Sequence, residues 1–255
     1  MSVLRGLRLA LGLLTVVPVR PPETIGRPEA RVAMLLAPLA VLPVALVAAG
    51  SGWLAVTLRL PGALAGLLVV AALALGTRAM HLDGLADTTD GLGSGTPPAA
   101  ALEIMRRGDI GPMGTVSLLL VLAIDAVASG VVLDRPYGWL WLAALVCASR
   151  GALVLGCLRG VPAARPGGLG ALVAGSVPGA AAVAVWVVLG LLLTGAGTLA
   201  GQAWWLPPAG VLLTLGVTGW LLKRCVDRLG GITGDVLGAL VELAAAALLV
   251  VASIP

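Results

Sequence analysis

The sequence contains no phenylalanine, one tyrosine, one histidine and three cysteines, and only 11% of its residues are charged. So little charge excludes a soluble globular domain, in which about a quarter of residues carry it. Cys147, Cys157 and Cys225 show no CxxC spacing and lie in or beside apolar stretches. That excludes a disulfide framework and a zinc site, and leaves three small hydrophobes. Short alternating segments of roughly ten residues, which would build a membrane barrel, are missing. So are soluble linkers, low-complexity tracts and internal repeats.

What the chain does have is continuous Leu, Ala and Val. Of its 255 residues 59% are hydrophobic, and the mean hydropathy is +1.08. A helix needs about 20 apolar residues to cross a ~30 Å hydrocarbon core. Without water, spanning segments must be helices or closed barrels, so the runs predict an all-α, polytopic integral membrane helical bundle. Seven spans are expected: Arg31–Leu58, Pro61–Met80, Pro112–Leu133, Gly138–Leu158, Leu172–Thr194, Trp204–Leu222 and Val236–Ser253. The first carries Pro38, Pro43, Gly50 and Gly52 and is expected to kink or break. The 36 glycines, with alanine, suit close helix packing in lipid.

Ahead of these spans, Arg5 and Arg8 precede an apolar run, Leu9 to Val19, that imitates a signal peptide. No small-x-small cleavage site follows, since the run ends in Pro18-Val19-Arg20-Pro21-Pro22. An uncleaved, short N-terminal interfacial or re-entrant helix is the expectation. Residues 1–255 then form a single integral membrane domain.

The net charge of +4 is mild, and its distribution is more informative. With the N-terminus inside, one side collects Arg5, Arg8, Arg20, Arg27, Arg31, Arg78, Arg106, Arg107, Arg159, Arg165, Lys223, Arg224 and Arg228. The other holds Arg59 and Arg135. The positive-inside rule makes the first side, and the N-terminus, cytoplasmic. The longer polar connections 81–111, 159–171 and 223–235 fall on that side, so an active site is expected on the cytoplasmic face of a multi-pass inner (cytoplasmic) membrane protein.

The first of those connections opens with His81-Leu82-Asp83-Gly84-Leu85-Ala86-Asp87-Thr88-Thr89-Asp90-Gly91-Leu92-Gly93. Asp83, Asp87 and Asp90 are spaced i, i+4, i+7 and fall on one face of a helix. Three such carboxylates repel unless a cation holds them, and Mg²⁺ binds through carboxylates plus substrate phosphates. The pattern predicts a Mg²⁺ site for a phosphate-bearing substrate. Asp90 is the first choice of proton acceptor and Asp87 the second. His81 lies on the opposite face; it joins the substrate site only if the helix breaks near Asp83-Gly84.

Gly91, Gly93, Gly111 and Gly114 would allow close backbone approach to a phosphate. Glu103, Arg106 and Arg107 lie between them, and together they suggest a pyrophosphate clamp. Thr233, Asp235 and Glu242 form a third cluster, with Asp235 and Glu242 seven apart on one helical face. Asp125, Arg150 and Glu242 fall inside predicted spans, where ionisable groups are costly. The matching depth of Arg150 and Glu242 suggests an ion pair.

The block from His81 to Gly93 resembles the hallmark of the cobalamin synthase family, also called adenosylcobinamide-GDP ribazoletransferases. Leu102-Glu103-Ile104-Met105-Arg106 with Ile110-Gly111 and Gly114 resembles its second block. Leu229-Gly230-Gly231-Ile232-Thr233-Gly234-Asp235-Val236-Leu237-Gly238-Ala239 resembles its third, and Thr15-Val16-Val17-Pro18-Val19 fits the N-terminal pattern more loosely. Where the family reads Lys-Asp-Ser-Arg, this chain has Arg106-Arg107-Gly108-Asp109, which leaves both Arg107 and Asp109 as candidates for substrate contact. The resemblance implies transfer from adenosylcobinamide-GDP to α-ribazole or its 5′-phosphate with release of GMP. It implies no nucleic-acid partner, and a homo-oligomer stays open. The competing readings are a CDP-alcohol phosphotransferase-like or diphosphate-binding prenyltransferase-like enzyme, and an ion-coupled transporter using Asp125, Arg150 and Glu242. A transporter would concentrate its polar residues at mid-membrane; this chain concentrates them at one surface.

Overall fold

A computed structural model describes residues 2–20, 22 and 24–255, and among them it contains helices and two isolated β-bridges but no strand. The helices run, in order, α1 (Ser2–Leu14), α2 (Arg27–Leu35), α3 (Ala37–Ala40), α4 (Leu42–Thr57), α5 (Gly62–Gly76), α6 (Met80–Gly93) and α7 (Pro98–Ile104). They continue with α8 (Pro112–Leu133), α9 (Gly138–Ser149), α10 (Ala152–Gly156), α11 (Gly168–Val173), α12 (Gly179–Leu199), α13 (Leu206–Leu229) and α14 (Gly234–Ala252). The chain is a polytopic membrane helical bundle. Among the described residues, five segments are long and apolar enough to cross: α8, α9 with α10, α12, α13 and α14.

Of the seven expected spans, the first two end differently. Pro28, Pro38 and Pro43 each fall in the first turn of a helix, so Arg31–Leu58 divides into α2, α3 and α4. A proline donates no backbone N–H and suits a first turn, where that N–H has no helical partner. Of these pieces only α4, with 16 residues, approaches the length of a span. Pro61–Met80 becomes α5, and the chain then bends by 91° into α6. Arg78 and Ala79 make that elbow with φ of 56° and 53°, left-handed values unusual for residues with a Cβ. Helix α6 therefore leaves the line of α5, and we read it as lying along one end of the bundle.

The expected Leu172–Thr194 span instead runs from Gly179 to Leu199, a shift of seven residues at its start. Leu172 to Val177 are apolar but belong to the end of the bundle: Val177 N donates to the Cys157 carbonyl at 2.9 Å, and Arg159 N to that of Val177 at 2.9 Å. Apolarity in this stretch reflects burial rather than lipid, since Val173, Ala174 and Val177 belong to the core. The N-terminal helix forms as α1, packed on α2 and α3.

Helix α14 is the spine, touching α6, α8, α9, α10, α11 and α13. Its apolar window is 72% buried, against 22% for α12, which turns Val183, Val187, Leu191 and Leu192 outward as a lipid-facing helix does. Chain alternation brings the α6–α7 region, the 157–178 connection and the α13–α14 turn to one end. Backbone and side-chain bonds join them there: Ala164 N to Ile232 O (2.9 Å), Ile232 N to Pro162 O (2.9 Å), Arg165 Nη2 to Leu102 O (3.0 Å) and Arg228 Nη2 to Thr96 O (3.4 Å).

Candidate active site

Helix α6 is continuous from Met80 to Gly93, with no break at Asp83-Gly84, and its three aspartates have three different surroundings. Asp83 is exposed, Asp87 is half-buried and Asp90 is 9% exposed. Asp90 turns to the start of α8: one oxygen accepts from Gly111 N at 2.7 Å and the other from Gly114 N at 2.9 Å. Those two N–H groups belong to the helix end where backbone donors lack partners, and a carboxylate there also meets the positive end of the helix dipole. Asp90 thus fastens α6 to α8. With both oxygens engaged it is a poor choice of proton acceptor, which corrects its ranking above Asp87.

Across from α6 stands Asp235, in the first turn of α14. A Cβ placed on Gly84 would lie 2.6 Å from the Asp235 carbonyl oxygen, and one on Gly238 would lie 3.1 Å from the His81 Cα. These two glycines let the backbones of α6 and α14 cross in contact, bringing Asp235 beside Asp83 and Asp87. Thr233 caps α14, its Oγ1 accepting from Val236 N at 3.2 Å and donating to Asp235 Oδ2 at 3.0 Å. Arg165 from the 157–178 connection places Nη2 3.9 Å from the same Asp235 oxygen.

Burial, then the neighbouring charges of Asp83, Asp235 and Asp90, push Asp87 up to about 6, against a smaller opposite pull from Arg165. Asp87 is therefore the carboxylate on which the others converge. Its neighbour Asp235, with Arg165, Gly167, Gly168, Gly170 and Thr233, contributes to the walls of a cavity of about 230 Å³ that Asp83 and Asp87 do not line. Arg165 was not singled out from the sequence; the available signal was its place in one of the long polar connections of the cationic side.

Other expected members do not join this site. His81 is 2% exposed, faces the α14 crossing, and has no partner on either ring nitrogen. Its side chain cannot reach a substrate on the aspartate side, so the substrate-binding reading is corrected. Gly91 and Gly93 give close packing rather than phosphate approach, since a Cβ on them would come within 2.6 Å of Met105 Cγ and 2.7 Å of Met113 Cγ. Gly111 and Gly114 spend their N–H groups on Asp90. Glu103 and Arg106 form an exposed ion pair at 3.8 Å, and Arg107 is exposed nearby. Arg150 and Glu242 line one interior cavity but make no direct ion pair among the described residues.

Among the described residues, no group of three or more His, Cys, Asp or Glu is arranged to hold a metal ion by itself. The donor set is nonetheless hard oxygen from neighbouring carboxylates, and Mg²⁺ commonly takes one or two protein carboxylates and completes its shell with substrate phosphates. The exposed Asp83 fits that partial role, with Asp235 opposite and Asp87 one helical turn away.

A family model described as cobalamin-5-phosphate synthase matches residues 6–253. The chain belongs to this cobalamin-5-phosphate synthase family. A Nocardioides adenosylcobinamide-GDP ribazoletransferase is 46% identical over 95% of this chain and 95% of its own length. The enzyme of the same name from Frankia casuarinae is 41% identical, over 96% of this chain and 92% of its own length. One from Pseudomonas entomophila is 40% identical over 95% and 96%. No solved structure matches the chain. The family match spans α6, the Arg165 loop and the α13–α14 turn together, so every part of the site lies inside it.

Proposed function

We propose that this chain is a Mg²⁺-dependent transferase of coenzyme B12 assembly. It joins the cobinamide phosphate of adenosylcobinamide-GDP to α-ribazole or its 5′-phosphate and releases GMP. The observation that carries this reading is the grouping of Asp83, Asp87 and Asp235 where α6 crosses α14, with Asp235 and Arg165 in the wall of a cavity, in a chain related over nearly its full length to ribazoletransferases. In the reaction, a ribose hydroxyl oxygen bonds to the phosphorus on the cobinamide arm as the bond to the bridging oxygen of the diphosphate breaks. That oxygen leaves on GMP.

Asp87 accepts the hydroxyl proton: its affinity for a proton, raised by burial and by its neighbours, suits a base working near neutrality. Arg165 offers positive charge to phosphate oxygens, and the hydrogen bond to Leu102 fixes its guanidinium. Asp83 and Asp235 would hold the metal, which leaves Asp87 free to take the proton. The chemistry supplied by a bound Mg²⁺ is neutralisation of the diphosphate and of the charge developing on GMP. The excess of arginine at this end of the bundle supports a cytoplasmic orientation of the site and of the N-terminus.

Protein reconstituted in lipid with adenosylcobinamide-GDP, α-ribazole and Mg²⁺ should release GMP and form the cobalamin, and chelation should stop both. Absence of Mg²⁺-dependent GMP release from well-folded protein would refute the assignment.

A further inference from the structure

Three spanning segments each carry one ionisable residue inward: Asp125 on α8, Arg150 between α9 and α10, and Glu242 on α14. All three line a single interior cavity of about 30 Å³, with Ser129 of α8 and Leu82 of α6 in the same wall. Asp125 is 8% exposed and Arg150 3%. Arg150 Nη1 donates to the Val146 carbonyl at 3.2 Å and to Ser149 Oγ at 2.9 Å, but its Nε has no partner, nor has Asp125 Oδ1. Charges at this depth are costly unless matched. A polar cavity of this size admits about one or two waters, each needing two to four polar partners, and these residues supply them.

We propose that Asp125, Arg150 and Glu242 form a water-bridged network that shares one proton between the two acids, and that this network positions α6. The charge count requires the proton, since one guanidinium balances one carboxylate and the second acid would otherwise sit unmatched inside the bundle. The connection to α6 is physical. Leu82 contributes to the cavity wall, and His81 precedes it in α6. Gly238, one turn before Glu242, carries the contact of α14 with His81. Asp83 follows at once, so the network acts on the segment that presents Asp83 and Asp87. The positioning role rests on the function proposed above; the network does not.

Infrared difference spectroscopy of the lipid-reconstituted chain at about pH 8 tests it. The wild type should show an un-ionised carboxyl carbonyl band, shifted in D₂O, that each of the isosteric variants Asp125→Asn and Glu242→Gln removes, since either leaves one carboxylate to one guanidinium. Each variant should lower kcat for GMP release roughly 10- to 100-fold with little change in KM. Arg150→Gln should displace the band and slow turnover, and Arg150→Lys should restore both in part. Melting curves confirm that each variant is folded. A wild type without the band, or a band surviving in either acid variant, overturns the network. A band that both variants remove with kcat unchanged overturns the positioning role. A wild type with the band but no GMP release overturns the function, leaving the network intact.

Discussion

The molecule builds acids around one arginine twice, at one end of the bundle and in its interior. At the end, Asp83 and Asp87 stand with Asp235 and Arg165, and the last two line a cavity of about 230 Å³; inside, Asp125, Glu242 and Arg150 line one of about 30 Å³. The residue types are nearly the same and the settings opposite. Where the wall is open, like charges crowd and leave coordinating oxygens for a ligand. Where it is closed, the charges have only one another, their own helices and water to satisfy them. Function follows from whether the cluster is completed by a substrate or by itself.

The sharpest way to break this contrast is to neutralise one member of the open cluster. Asp87→Asn should cut GMP release by about 10²–10⁴-fold while the protein melts no lower than wild type, since the change removes a repelled charge. Near-normal turnover would remove Asp87 from the reaction. The metal-free protein should also melt higher as pH falls. Asp87 holds its proton more tightly folded than unfolded, so the folded chain binds more protons between the ordinary carboxylate range and about 6, and stability declines as pH rises through that window. The pH dependence should shrink in Asp87→Asn; an unchanged profile would show that another group is responsible.

Asp90→Ala belongs to the other kind of effect. It strands the Gly111 and Gly114 N–H groups, an expected loss of about 1–3 kcal/mol, read as lowered thermal stability. Full stability with lost turnover would return Asp90 to the reactive set. Gly84→Ala should drive α6 from α14, costing about 1–3 kcal/mol as overpacking and slowing GMP release as well, because Asp235 moves with its backbone. The smallest effect is expected from Ala79→Gly. Relief of a left-handed residue, about 1–2 kcal/mol, is largely offset by glycine's greater freedom when unfolded, about 0.5–1 kcal/mol, so melting should rise slightly or stay unchanged.

Much of this was legible in the sequence because membrane helices write their periodicity plainly. The i, i+4, i+7 aspartates do lie on a helix, and α8, α13 and α14 begin within two residues of their expected starts. The aspartates' separate fates were not legible. Asp90 differs from Asp87 only in meeting the amino end of α8, a fact of helix crossing rather than of local pattern. The glycines announced close approach, but not whether to phosphate or to helix; Gly84 and Gly238 serve α14, and Gly91 and Gly93 serve methionines. Arg165 escaped notice because its importance comes from the bridge of Ala163 to Ile232, which joins segments distant in sequence.

The elbow between α5 and α6 has a consequence for how the chain is made. Arg78 Nη2 donates to the carbonyls of Gly12 and Leu13 at 3.0 and 3.2 Å, at the negative end of α1, 66 and 65 residues earlier. Helix α1 leaves the ribosome well before its anchor, and must wait unclasped until α5 has been threaded. The clasp that then closes holds the elbow and aims the aspartate helix, so α1, already packed on α2 and α3, takes hold of the segment before α6 only once α5 has emerged.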